Sequence, residues 1–151
     1  MNQKICDEAA MAFPLRRSII VGMTTSRNGK KILIVEDDDL MLGVLTQQFL
    51  DQGFEVVSAV TGTKAVEKFY SEKPDVVALD IMIPEKDGIK VLDEIHSKTP
   101  EDNTPFFILT NSSDMNHIAS ATNRKVVAYL IKSDQEIQNI VSIIKKHLGI
   151  A

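Results

Sequence analysis

The sequence predicts an α/β domain: a doubly wound, five-stranded parallel sheet with five helices on its two faces. Three observations predict it. From Lys31 onward, short β-rich apolar runs alternate with helical patterns. The runs are nearly unbroken rather than alternating, as expected of parallel strands buried on both sides. One helical pattern separates each run from the next, which makes βαβ units whose crossovers set helices on both faces of one sheet.

The elements follow in order. Ile32–Val35 is the first strand, and Leu40, Met41, Val44, Leu45 and Phe49 recur at helical spacing before Gly53. Asp38 or Asp39 caps that helix, and capping is the favoured reading of Asp38. Phe54–Ala59 reads as the second strand. Val66, Phe69 and Tyr70 mark a second helix, which must end before Pro74. Val76–Leu79 is the third strand, and Ile89, Leu92 and Ile95 give the third helix. Pro105 opens a fourth strand, Phe106–Leu109. A weaker helix spans about 114–123, with Met115, Ile118 and Ala119 on one face. Val126–Ile131 is the fifth strand. The last helix carries Ile137, Ile140, Val141, Ile144 and Leu148 on one stripe. Ser133 with Glu136 three residues on predicts a capping box at its start.

Composition bounds the possibilities. A chain of 151 residues holds one ordinary domain, and 44% hydrophobic with 25% charged residues is the balance of a globular protein. No apolar run approaches the roughly 20 residues that span a bilayer, and Ser18–Met23 is too short for a signal-peptide core. The single cysteine, Cys6, cannot form an internal disulfide, which fits a cytoplasmic setting. The net charge is -4; residues 1–30 hold five basic and two acidic residues, so the rest carries -7. So acidic a domain is poorly suited to direct nucleic-acid binding, which needs clustered Lys and Arg. Residues 1–30 precede the pattern as a leader, and residues 1–22 fit none of it. They are a flexible leader, a non-native extension or residues upstream of a true start at Met23, and a single sequence does not choose among these.

In an open parallel sheet, ligands bind beyond the carboxyl ends of the strands. The residues ending the strands are therefore the informative ones. The first strand runs into Glu36-Asp37-Asp38-Asp39, the third into Asp80, the fourth into Thr110 and the fifth into Lys132. Converging carboxylates repel unless a cation joins them, and hard oxygen donors suit Mg²⁺. A carboxylate so held can attack phosphorus to give an aspartyl-phosphate, while an ammonium offsets charge on the transferring group. Capping explains Asp38 without chemistry. It does not explain Asp80, an acid at the end of a buried run, costly unless paired or metal-bound. Lys132 alone reads as a snorkelling surface lysine; the combination carries the weight.

These residues resemble the response-regulator receiver family of two-component signalling, particularly its single-domain, chemotaxis-regulator-like members. The likeness covers about 31–148, the expected receiver domain. Lys31-Ile-Leu-Ile-Val-Glu-Asp-Asp38 resembles the family's opening strand with its acidic pair. Pro74 to Gly88, containing Asp80-Ile-Met-Ile-Pro84, resembles the phosphoacceptor segment, and Ile108-Leu-Thr110 and Tyr129-Leu-Ile-Lys132 resemble the two switch segments. The resemblance implies a flavodoxin-like sheet of strand order 2-1-3-4-5. It implies that Asp80 accepts phosphate from a phosphohistidine of a sensor histidine kinase or a histidine phosphotransfer protein. Asp37, Asp80 and the backbone carbonyl of Met82 would bind Mg²⁺ directly, and Glu36 through a water. Thr110 and Lys132 would contact the phosphoryl group, and Tyr129 would follow Thr110 inward. A downstream protein would be engaged through about 114–148, by a monomer or a weak phosphorylation-dependent dimer.

Some positions depart from the family pattern. Ser133 stands where a proline in a cis peptide is common, and a non-proline cis bond costs about 3 kcal/mol. Asn111-Ser-Ser-Asp114 lacks a small alanine after the switch threonine, and Lys125-Val126 replace a glycine-alanine turn. Met82 and Ser112, two residues past Asp80 and Thr110, flank the path of the hydrolytic water in receivers. Neither orients water well, which predicts slow self-dephosphorylation.

The leading expectation is thus a phosphorylation-controlled binding module, not an enzyme beyond its own phosphorylation and dephosphorylation. With only Gly149-Ile-Ala151 after the last helix, no output domain is expected, and output is a protein contact or onward phosphotransfer. One alternative is a degenerate, phosphorylation-independent adaptor. Another is a Mg²⁺-dependent phosphohydrolase with an aspartyl nucleophile; enzymes of that kind usually have a second Asp where this chain has Met82.

Overall fold

The structure, a computed structural model, describes residues 27–111, 125–134 and 136–150. Its elements are β1 (Lys31–Val35), α1 (Asp39–Asp51), β2 (Glu55–Ala59), α2 (Gly62–Glu72), β3 (Val76–Asp80), α3 (Gly88–Lys98), β4 (Phe106–Thr110), β5 (Ala128–Ile131) and α4 (Ile137–His147). The five strands form one parallel sheet in the order β2-β1-β3-β4-β5. This is the doubly wound arrangement predicted. The helix expected at 114–123 lies outside the described residues.

Period-two alternation divides the strand residues between two cores. Leu33, Val35, Val77, Leu79, Phe106 and Ile108 face one side, where Phe69 of α2 and Leu92 and Ile95 of α3 cover them. Ile32, Ile34, Val76, Ala78, Phe107 and Leu109 face the other, under Leu45 and Phe49 of α1 and Ile140, Val141 and Ile144 of α4. The sheet's centre is dry: β3 and β4 are buried from end to end.

Local chemistry sets the boundaries. The Asp38 carboxylate accepts from the Met41 amide at 2.9 Å and caps α1, as expected. Thr61 caps α2 and Asp87 caps α3 in the same way. Asn28 donates to the carbonyl of Gln52 and Arg27 to that of Asp51, so 27–30 is tied to the end of α1.

Two local expectations are corrected. The fifth strand begins at Ala128, not Val126: the Val127 amide reaches the Phe106 carbonyl, but the residue is 42% exposed and stays outside the ladder. The capping box at Ser133 and Glu136 does not form. Lys132–Asp134 is one 3₁₀ turn, so Ser133 cannot take the extended N-cap position. Glu136 is the N-cap of α4, with no side-chain capping bond. All described peptide bonds are trans.

Candidate functional site

Register brings the strand-end residues together. Val35 of β1 lies opposite Leu79, so Glu36 emerges beside Asp80. Asp80 lies opposite Leu109, and Thr110 opposite Ile131, so Lys132 emerges one step beyond. The acids and the base predicted from sequence thus meet at the carboxyl edge of the two central strands and β5, where strand order reverses.

Asp80 is the last residue of β3 and only 3% exposed. Its Oδ1 accepts from the Met82 amide at 3.3 Å and its Oδ2 from Lys132 Nζ at 3.2 Å. Glu36 is as deeply buried. Its Oε2 takes the Lys132 ammonium at 2.8 Å, and its Oε1 accepts from the Asp38 amide at 3.2 Å. One lysine therefore bridges two buried carboxylates. Sequence reasoning gave Glu36 a water-mediated part at the metal and missed its direct pairing with Lys132. The signal was available: an acid directly after a buried strand, beside a strand ending in another acid, needs a counter-charge.

Titration follows from this geometry. Burial, and then the negative charge of Glu36, push the Asp80 carboxyl up from 3.8 to about 6, against the opposing pull of Lys132. Burial works against the Lys132 charge, but its bond to Glu36 and the Asp80 carboxylate outweigh burial and hold its pKa above the ordinary value. The site carries excess negative charge and is arranged to accept a cation.

Carboxylate oxygens of Glu36, Asp37 and Asp80 all lie within 4.8 Å of one another, and Asp37 is exposed. All three are hard donors around one point, so the residues fit a divalent cation of the Mg²⁺ type. They border a cleft of about 800 Å³. Its polar wall also includes Asp38, Asn111 and Lys132; its apolar wall is Leu40, Met41, Val44, Met82 and Ile137.

Not every predicted residue lines this cleft. Thr110 is fully buried, with its hydroxyl donating to the Asn111 carbonyl at 3.1 Å. Tyr129 is half-buried and packs against the core beneath α2 and α3. Tyr129 lies opposite Ile108, two residues before Thr110, so all three share one sheet face. Met82 is 50% exposed at the cleft. Ser112, and residues 114–124 of the expected output surface, lie outside the described residues.

Residues 32–145 match the response regulator receiver domain family. The chain belongs to that family. This receiver domain is 38% identical over 102 residues to the regulatory protein AtoC of Escherichia coli, a match covering 68% of the chain and 22% of AtoC. It is 33% identical over 117 residues to the transcriptional regulatory protein PdtaR of Mycobacterium tuberculosis, covering 75% of the chain and 56% of PdtaR. The chain thus spans less than two thirds of either curated relative. Among solved structures, the CheY-like receiver domain protein of Methanospirillum hungatei superposes with a TM-score of 0.72 at 26% identity, covering 80% of this chain and 94% of that one. Receiver domains are signalling domains of two-component systems. None of the described helices is long and apolar enough to cross a membrane.

Proposed function

We propose that Asp80 is the phosphoacceptor of this receiver domain and that its phosphorylation needs Mg²⁺. The observation that carries the reading is a buried carboxylate with an ammonium 3.2 Å away and two further carboxylates converging on the same point. The donor is a phosphohistidine on a sensor histidine kinase or a histidine phosphotransfer protein. An Asp80 oxygen forms the new bond to phosphorus as the nitrogen–phosphorus bond breaks, and the imidazole leaves with a proton. Lys132, held by Glu36, places its positive charge beside the phosphoryl oxygens as they arrive. Asp37, Asp80 and the Met82 carbonyl would hold Mg²⁺, with Glu36 acting through water. When bound, the ion offsets charge on the transferring group. Burial of Asp80 in the rigid end of β3 keeps the nucleophile in place.

The apolar wall of the cleft suits the donor protein. Leu40 is 78% and Met82 50% exposed directly beside the acids, an unusual display for large apolar side chains. Phosphorylation would draw Thr110 towards the phosphoryl group and let Tyr129 move inward, altering a surface of about 114–148 for a downstream protein. The working unit in this reading is residues 31–148, cytoplasmic with its kinase, monomeric or weakly dimeric when phosphorylated. It is a signalling switch, with no catalysis beyond its own phosphorylation and dephosphorylation. The presence of every acid, of Thr110 and of Lys132 weighs against a degenerate adaptor, and Met82 weighs against a phosphohydrolase.

The test is incubation with acetyl phosphate and Mg²⁺, followed by separation on a phosphate-retarding gel. A shifted band is expected for the wild type and none for Asp80→Ala or in EDTA. An equal shift in Asp80→Ala would overturn the assignment. The lifetime of the phosphoryl group is also set at this site. Met82 cannot orient water, so Met82→Asn is expected to shorten the lifetime by about tenfold, a modest share of what a positioned proton-transfer or water-orienting group contributes. An unchanged decay rate would remove Met82 from the path of the water.

A further inference from the structure

We propose that Gly62, the first residue of α2, is a positioning residue for the Asp80–Met82 segment. Its missing side chain lets the loop that follows Asp80 seat against α2, and this contact fixes where the Asp80 carboxylate and the Met82 main chain stand. The inference rests on the reading of Asp80 as a Mg²⁺-dependent phosphoacceptor.

Gly62 is not there for backbone freedom. Its φ is not positive, unlike those of Gly29, Gly53 and Gly149. Nor does it cap the helix, since Thr61 accepts from the Lys64 amide at 3.1 Å and does so already. The reason is space. A Cβ at residue 62 would lie 1.8 Å from the Lys86 carbonyl oxygen and 2.7 Å from the Lys86 carbonyl carbon. These are backbone atoms, so no side-chain rotation relieves the overlap; the loop must move.

The loop has little freedom to absorb such a movement. The Gly62 amide donates to the Pro84 carbonyl at 3.1 Å, and the Lys86 amide donates to the same oxygen at 2.8 Å. The Ile83 and Gly88 amides both donate to the Ile81 carbonyl. At the far end, a Cβ on Gly88 would stand 2.5 Å from the Asp80 carbonyl oxygen, so that side is closed as well. Glu85 already sits in the left-handed region at φ 70, a conformation that costs a non-glycine residue energy. The Lys86 ammonium is tied to Glu94 on α3. Displacement at Lys86 is therefore passed back through Ile83 and Ile81 to Met82, whose amide bonds the Asp80 carboxylate.

The test is a Mg²⁺ titration of the unphosphorylated protein followed by amide resonances, for wild type, Gly62→Ala and Gly43→Ala. A methyl on Gly43 meets nothing within 4 Å, so that variant controls for the substitution itself. The half-saturating Mg²⁺ concentration is expected to rise at least about tenfold in Gly62→Ala, the scale seen when support around a metal ligand is lost, and to stay unchanged in Gly43→Ala. A purely structural glycine would lower the melting temperature and leave that concentration alone, which overturns the proposal. Should Gly62→Ala fail to fold, the wild-type titration decides: the Gly62 amide must shift together with that of Met82. A Gly62 resonance that stays still while Met82 moves overturns the coupling. Wild-type protein that shows no Mg²⁺-dependent shift and takes no label from acetyl phosphate defeats the phosphoacceptor reading itself, a different result from either.

Discussion

Lys132→Met is expected to destabilise the domain by about 3 kcal/mol and to slow phosphorylation from acetyl phosphate about a hundredfold. The first effect follows from removing one member of a buried charge cluster. Lys132 is the bridge between Glu36 and Asp80, both almost wholly enclosed, and without it two carboxylates face one another with no counter-charge, an arrangement that costs about 3–5 kcal/mol. The lower end applies, because the cleft admits solvent to one side of the cluster. The second effect is the loss of a preplaced positive charge beside the transferring phosphoryl group. The two separate in one experiment. Added Mg²⁺ supplies the missing charge to the carboxylates, so the variant's melting temperature is expected to rise more with Mg²⁺ than that of the wild type. Equal Mg²⁺ effects on the two proteins would show that the ammonium and the cation do not serve the same carboxylates.

The same cluster shows what could be read from the sequence and what could not. The three inner strands announced themselves, because burial on both faces demands the runs Ile32–Val35, Val76–Leu79 and Phe106–Leu109. Strand ends then told which residues share an edge, so Glu36, Asp37, Asp80 and Lys132 could be gathered without coordinates. Their pairing could not be read. Whether Lys132 serves Asp80 alone or Glu36 as well depends on the register of β1 against β3, and period alone leaves register open. Ser133 and Glu136 misled for a related reason: the capping pattern is local, whereas the 3₁₀ turn at Lys132–Asp134 follows directly from the end of β5 and takes up the residue that would have capped. Gly62 carried a signal that went unused. A glycine after a good cap residue, in a helix that does not need it, points to a close approach by another part of the chain.

Asp80→Asn is expected to abolish phosphorylation and yet to stabilise the unphosphorylated domain by about 2 kcal/mol at pH 7.5. The two outcomes share one cause. Burial and Glu36 raise the folded-state pKa of Asp80 from 3.8 to about 6. A tenfold weakening of a carboxyl group's acidity on folding corresponds to about 1.4 kcal/mol. Below about pH 3 the carboxyl is protonated in folded and unfolded chains alike, and it contributes no pH-linked difference. Between about pH 4 and 6 the unfolded chain has lost that proton while the folded chain keeps it, so the folded state binds more protons and stability falls as pH rises. Above about pH 6 the full penalty of a buried carboxylate is present. Asparagine has the same shape, carries no charge and leaves Lys132 with Glu36, so it removes most of that penalty. Urea denaturation of both proteins from pH 3 to 8 checks this without Mg²⁺: the two should be nearly equal at pH 3 and diverge to about 2 kcal/mol by pH 7. A variant less stable than the wild type at pH 7.5, or a difference that does not change with pH, would mean that Asp80 is better satisfied by Lys132 than its surroundings imply. The expected result has a direct bearing on function. A nucleophile that destabilises its own fold when ionised gains free energy from any group that takes up its charge, so cation binding and phosphorylation both act on a carboxylate already held at a cost.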